Sequence, residues 1–125
     1  MAFAECSSLE KVVFPSSLKS IGGLAFVNCT SLKEVIIPNG VEFIDVGAFG
    51  GCSMLQEVII PSSVKNMGEK VFANCTNLKS ISLPAGTYNL ELMLENIPGE
   101  WSVNGKKIED LTNFVATDRK LITRI

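Results

Sequence analysis

A 23-residue repeat between residues 2 and 84 constrains the fold of this 125-residue chain more than any other feature. Cysteines recur at this interval, and phenylalanine, leucine and proline each keep their own position in every repeat. A period of about 20–50 residues is typical of solenoids, in which each repeat forms one coil that stacks on the previous one. The sequence therefore predicts a mainly β solenoid of 23-residue coils.

Each repeat carries two apolar segments. In the repeat that contains Cys29, the residues Leu32, Val35 and Ile37 follow the pattern L-x-x-V-x-I, and the last two alternate as in a β-strand. A proline then ends the strand, and Ile44 lies in a second, short extended segment on the opposite side. Stacked repeats place equivalent residues about 4.8 Å apart. The first strands should therefore join in a parallel sheet on one face.

The repeat resembles a known family. The motif A-F-x-x-C-x-x-L-x-x-[VI]-x-[IL]-P, at its 23-residue period, is similar to the leucine-rich repeats of the BspA type, also described from Treponema surface proteins. The resemblance covers residues 2–84. It implies a bacterial cell-surface or secreted protein that binds another protein. Adhesion to host extracellular-matrix or microbial surface proteins is the role that it suggests.

The chain opens inside a repeat, because Ala2 and Phe3 fall at the positions of Ala25 and Phe26. We interpret residues 1–85 as a leucine-rich repeat solenoid, cut from a longer array. No signal segment is visible, which in a fragment says nothing about localisation. Surface exposure or secretion is therefore expected from the resemblance alone.

The repeat fades after Ala85, where Glu95 and Pro98 fall at the expected phenylalanine and cysteine positions. Residues 86–125 are predicted to form a degenerate repeat and a β-rich C-terminal cap, the alternative being a linker to a following domain. Asn104-Gly105 is a strong hairpin signal between the stretches 101–103 and 106–108. Two further apolar stretches, 113–116 and 121–123, predict additional strands.

The four cysteines invite a metal or disulfide interpretation that stacking does not favour. A tetrahedral zinc site needs converging ligands, whereas one thiol per repeat forms a line, and the chain has no histidine. Parallel side chains in register do not readily reach the disulfide dihedral angle, although their Cα atoms are close enough. Buried free thiols are the favoured interpretation, with a disulfide and a metal site as the open alternatives.

Asn28 and Asn74 match the N-x-[ST] glycosylation pattern. A turn beside a buried cysteine leaves little room for a glycan. We therefore favour a structural role, in which these amides hydrogen-bond the turn backbone of their own repeats.

Composition argues against an enzyme and against two classes of partner. The absence of histidine removes the commonest general base and every Ser–His or Cys–His pair. Glu34 and Glu57 share an outward column but are most simply a solvated face. No motif predicts a cofactor or a metal site. A net charge of −2 does not favour nucleic acid or anionic lipid, and no apolar run approaches the roughly 18 residues of a membrane helix.

One outward column is unusually apolar. Val13, Ile36 and Ile59 alternate with inward residues and end at Ser82, which predicts an exposed stripe suited to an interface. Sheet propensity alone would also select such residues, so both explanations stay open. The candidate contact surface comprises Lys11, Val13, Glu34, Ile36, Glu57, Ile59, Ser80 and Ser82.

The sequence thus predicts a non-catalytic, protein-binding module that inserts no segment into a membrane. Two alternatives remain. The repeats could act as a structural spacer, or they could be the accessory region of an enzyme whose catalytic domain lies outside these residues.

Overall fold

The structure is a computed structural model that describes residues 2–125, and its regular secondary structure is mainly short strands. Helical structure is confined to one turn of α-helix, α1 (Leu90–Met93), and one 3₁₀ turn (Leu111–Asn113) among these residues. The strands are β1 (Lys11–Val13), β2 (Ser20–Ile21), β3 (Glu34–Ile36), β4 (Phe43–Ile44), β5 (Glu57–Ile59), β6 (Asn66–Met67), β7 (Ser80–Leu83), β8 (Gly86–Tyr88), β9 (Trp101–Val103), β10 (Lys106–Lys107), β11 (Phe114–Ala116) and β12 (Lys120–Arg124). In the part of the chain that the structure describes, no helix is long and apolar enough to cross a bilayer.

Successive repeats stack in parallel, so that paired residues are 23 positions apart in the sequence. On one side β1 pairs with β3 and β5 pairs with β7, and on the other side β2, β4 and β6 form a three-stranded ladder. In every case a residue lies opposite its equivalent in the next repeat, as Val13 lies opposite Ile36. The two extended segments predicted for each repeat are therefore confirmed.

The sheet that carries the first strands is divided, where a single sheet was expected. β1 and β3 form one pair, whereas β5 belongs to a five-stranded sheet of order β10-β9-β12-β7-β5. No ladder joins β3 to β5 among the described strands, although the two lie next to each other. The ladder on the opposite side runs through β4 and β6 and holds these two repeats together.

The core is built of identical side chains stacked one repeat above another. The rings of Phe3, Phe26, Phe49 and Phe72 are nearly parallel, with centroids 5.3, 5.4 and 5.8 Å apart along the stack. Leu32, which was predicted to point inward, is fully buried. The sequence pattern therefore assigned the core side of the repeat correctly.

The four cysteines are free thiols, of which Cys6 is half-buried and the other three are buried. Each buried thiol donates a hydrogen bond to the phenylalanine carbonyl of the preceding repeat. The Sγ of Cys52 lies 3.3 Å from the oxygen of Phe26, and the Sγ of Cys75 lies 3.1 Å from that of Phe49. Each buried thiol therefore fills space in the core and also forms a hydrogen bond between repeats. The spacing of the cysteines in the sequence did not reveal this hydrogen bond.

The same surroundings keep the thiols of Cys29 and Cys52 neutral. Burial raises the pKa of the Cys29 thiol. The adjoining thiol of Cys75, together with burial, raises the pKa of Cys52. Neither side chain is therefore suited to act as a thiolate nucleophile near neutral pH.

Cys52 should make the protein less stable in mild alkali. In the unfolded chain its thiol ionises with a pKa near 8.5, whereas the raised pKa keeps it neutral in the fold. This contribution to stability is complete below about pH 8.5 and declines as the pH rises toward the folded pKa. The loss is about 1 kcal/mol at pH 9.5.

Urea unfolding at pH 7.5 and pH 9.5 measures this effect. Cys52→Ser keeps a donor for the Phe26 carbonyl but does not titrate in this range. Its pH dependence should be smaller than that of the parent by the same amount. Equal pH dependence in the two proteins would contradict the assignment.

Asn28 and Asn74 owe their positions to backbone conformation. Both are exposed and have positive φ, 58° and 63°, and Gly51 at the same repeat position has φ 74°. Asparagine and glycine adopt this left-handed conformation most readily. The expectation that the side-chain amides hydrogen-bond the turn is thus replaced by a backbone requirement.

The repeat continues beyond Ala85 with one residue fewer. The amide of Phe49 donates to the carbonyl of Val71, 22 residues later. The equivalent amide of Phe72 donates to the carbonyl of Met93, only 21 residues later. Leu94 and Ile97, both buried, therefore take the places of phenylalanine and cysteine. Assigning Glu95 and Pro98 to these places was wrong, because it assumed a constant period.

The C-terminal region adds antiparallel strands. β9 and β10 form the predicted hairpin, with positive φ at Asn104 and Gly105. β12 then pairs with β7 on one side and with β9 on the other. The guanidinium of Arg124 bonds the carbonyls of Thr76 and Pro98 at 3.0 and 2.9 Å, which joins this region to the last repeat.

Candidate functional site

The eight predicted contact residues lie in two adjacent columns on the strand face. One column is charged or polar, and the other contains the large apolar side chains. The first comprises Lys11, Glu34, Glu57 and Ser80, and the second comprises Val13, Ile36, Ile59 and Ser82. The β-strands position both columns, because alternate residues of a strand point to the same side.

The apolar column is well exposed. Val13, Ile36 and Ile59 keep 73%, 53% and 68% of their surface accessible, whereas the intervening Val35 and Val58 are buried. Three branched side chains stand on consecutive repeats, and no segment of residues 2–125 covers them. The strands thus present an apolar stripe that could bury surface against a partner.

The charged column contains both signs at one end. Lys11 and Glu34 form an ion pair of 3.7 Å, and the neighbouring Glu10 and Lys33 form another of 3.5 Å. All four side chains are largely exposed, so each pair contributes less than about 1 kcal/mol. No cation lies within ion-pair distance of Glu57 in residues 2–125, which leaves its carboxylate available at the middle of the face.

Strand β12 extends both columns, which sequence reasoning missed. Leu121 lies opposite Ser82, and Thr123 lies opposite Ser80. Leu121 is 56% exposed. The apolar column therefore has five positions, from Val13 to Leu121, and spans about 19 Å at the usual strand spacing. The alternation in residues 121–123 signalled a strand but not its neighbour.

Arg119 fixes the border of this face. Its guanidinium nitrogens lie 3.0 Å from the Ser82 hydroxyl and 3.1 Å from that of Ser62. Ser82 is thereby half-buried and engaged, unlike Val13, Ile36 and Ile59. Nothing in the repeat pattern pointed to Arg119, because it lies outside the repeats.

The chemistry available on this face is that of its exposed side chains. In residues 2–125 no group of three histidine, cysteine, aspartate or glutamate side chains could hold a metal ion. Burial raises the pKa of Cys29, and the adjoining Cys75 thiol together with burial raises the pKa of Cys52; both thiols donate to carbonyls. What the face offers is apolar surface bordered by charges and hydroxyl groups, the chemistry of a protein interface.

Comparison with protein families gives a match over most of the chain. The model of the BspA type leucine rich repeat region matches residues 1–96 in 6 copies. This match covers the four cysteine-containing repeats and reaches into the shortened one. No curated protein matches the sequence.

Three solved structures are similar. A leucine rich cell surface protein from Faecalibacterium prausnitzii A2-165 is 34% identical, with a TM-score of 0.62 over 64% of this chain and 21% of its own. A leucine-rich repeat protein from Bacteroides ovatus ATCC 8483 is 30% identical, with a TM-score of 0.52 over 66% and 27%. The T. pallidum leucine rich repeat protein is 34% identical, with a TM-score of 0.56 over 74% and 55%. This chain thus spans between about a fifth and about half of their lengths.

Proposed function

Because this chain belongs to the BspA type leucine-rich repeat family, whose repeats typically bind proteins, we propose that it is a non-catalytic binding module of a bacterial surface or secreted protein, acting in adhesion. The similarity to a protein described as a leucine rich cell surface protein supports this location. We also propose that residues 1–85 form a solenoid and residues 86–125 its degenerate last repeat and cap. The pairing of β12 with β7 supports that division.

The exposed apolar column carries the proposal. A solvated face would carry polar residues at these outward positions, but Val13, Ile36 and Ile59 keep more than half of their surface exposed. Sheet propensity explains branched residues, yet Leu121 continues the column without being β-branched. A partner that covers these side chains would remove apolar surface from water.

The strand face suits binding because it is already ordered. Its side chains stand on strands that are each held by a ladder to one neighbouring repeat and, at β7, to β12 as well. Little backbone entropy is then lost on association, so several weak contacts can add to a useful affinity. Lys11, Glu34, Glu57 and Ser80 would select the partner through charge and hydrogen bonding, more than they would add affinity.

Replacing two residues of the column with acids should abolish binding. Ile36→Asp/Ile59→Asp places two carboxylates in the centre of the interface, where a partner would have to desolvate them. We expect affinity to fall by at least about a hundredfold. The measurement is binding to immobilised fibronectin, fibrinogen, collagen and bacterial surface glycans, by surface plasmon resonance.

A matched variant separates the site from a general effect of charge. Phe43→Asp/Val115→Asp introduces the same charge at two exposed apolar positions outside the column. It should bind as the parent does, and circular dichroism should show both variants folded. Equal binding by the parent and both variants would exclude the strand face as the binding site. Failure of the parent to bind any member of the panel would favour a spacer, or accessory repeats of an enzyme.

A further inference from the structure

The ladder on the side opposite the strand face is interrupted after its third strand. The amide of Asp45 donates to Ile21 at 2.9 Å, and the amide of Gly68 donates to Ile44 at 2.7 Å, so each repeat is bonded to the next. The next partner of Met67 would come from residues 89–91. There the chain instead forms α1, and β8 pairs with β11.

The interruption leaves β6 with an open edge. In the parallel register of β4 and β6, Asn66 bonds back to β4, and the N–H and C=O of Met67 point away from it. Neither of these two groups has a backbone partner among the described residues. An exposed edge of this kind is a ready template for another strand.

A cleft lies along this open edge. Its volume is about 300 Å³, and its walls come from β6 on one side and from β8 and α1 on the other. The far wall is fixed by its own bonds. The Tyr88 hydroxyl donates to the Pro84 carbonyl at 2.6 Å, and the Asn89 side chain accepts from the Leu92 amide at 3.2 Å. The cleft is therefore part of the folded chain, bounded by Leu92 and Met93 opposite β6.

We propose that this cleft binds an extended peptide segment of another protein, which adds a fourth strand beside β6. A polypeptide in extended conformation supplies one acceptor and one donor at the spacing that the Met67 N–H and C=O require. The cleft volume is at the lower end of the range for ligand pockets, which fits a few residues. Alternate side chains of the segment would contact Val64 and Leu92, both of which line the cleft.

The repeat register specifies how the strand would lie. β2, β4 and β6 are parallel, so a fourth strand in the same arrangement is parallel to β6. A segment equivalent to β4 would accept from the Met67 amide through the carbonyl at the Phe43 position. It would donate to the Met67 carbonyl through the amide at the Asp45 position, as Asp45 itself donates to Ile21.

A synthetic peptide of residues 41–47 of this chain, acetylated and amidated, tests the proposal. We expect it to slow hydrogen exchange of the Met67 amide by about tenfold at a peptide concentration ten times its Kd. The same peptide N-methylated at the Asp45 amide cannot donate to the Met67 carbonyl and should bind at least about tenfold more weakly. Nuclear magnetic resonance follows both effects on the whole protein.

Two variants locate the peptide. Leu92→Trp enlarges the far wall of the cleft without changing β6 and should reduce affinity at least about tenfold. Glu91→Trp places the same side chain on the exposed side of α1 and should leave affinity unchanged. An unchanged Met67 exchange rate at millimolar peptide would overturn the proposal. So would equal binding by both variants, or shifts confined to Val13, Ile36 and Ile59.

Discussion

Replacing Phe49 with alanine should lower the free energy of unfolding by about 3–5 kcal/mol. Its ring is fully buried between those of Phe26 and Phe72, with centroids 5.4 and 5.8 Å away. Removing it leaves a cavity in the middle of the stack, and the backbone bonds between repeats prevent the neighbours from closing over it. Urea unfolding followed by circular dichroism measures the change.

Phe43→Ala is the matched control for this substitution. It removes the same ring from a side chain that is 47% exposed and should cost less than about 1 kcal/mol. Phe3→Ala, at the half-exposed end of the ring stack, should fall between the two. If Phe49→Ala costs no more than Phe43→Ala, the ring stack does not stabilise the fold.

Gly68→Ala should destabilise the protein by about 3 kcal/mol, at the upper end of overpacking effects. A Cβ at this position would lie 2.7 Å from the carbonyl carbon of Asp45 and from the Cα of Val46. These are backbone atoms of the preceding repeat, and the ladder between β4 and β6 holds them in place. The new methyl group can therefore be accommodated only by separating two repeats.

Gly22 occupies the same place in the first repeat and provides an internal comparison. A Cβ there would meet no atom within 4 Å, because no earlier repeat is stacked against it in residues 2–125. Gly22→Ala should change the stability by less than about 0.5 kcal/mol. Thermal unfolding of the two variants checks this difference, and similar melting temperatures would show that steric contact between repeats does not constrain Gly68.

The inward pattern was predictable because one physical requirement acts on every repeat. A residue such as Leu32 or Phe49 has an equivalent above and below it, so the pattern is written several times in the sequence. The hairpin at Asn104-Gly105 was predictable for a different reason. Its two residues favour the positive φ that a tight turn requires.

The C-terminal register was not predictable in the same way. The loss of one residue before Leu94 shifts the apolar positions by one, and a fixed period cannot detect a shift that occurs once. The pairing of β12 with β7 depends on a long connection rather than on local spacing. No residue in β7 or β12 identifies the other strand as its pairing partner in the sequence.

The same contrast between repeated and single features applies to the candidate site. Val13, Ile36 and Ile59 were found because they repeat, and the structure exposes them as expected. Leu121 and Arg119 were missed because they reach the strand face from outside the repeats. The open edge of β6 was missed as well. It exists because the following repeat forms α1 and pairs β8 with β11, and so adds no strand beside β6. Contact of this face with a partner stays a prediction.

The pairing of β12 also decides how the molecule would respond to mechanical tension. Within residues 2–125, the repeat that contains Cys6 is bonded only to the one after it, so tension across these residues should detach their repeats singly. Each detachment releases 23 residues, or about 80 Å of extended chain. At the other end β12 must leave both β7 and β9 before any repeat is freed. Residues 2–125 should therefore lengthen in steps under tension, a behaviour that absorbs work gradually.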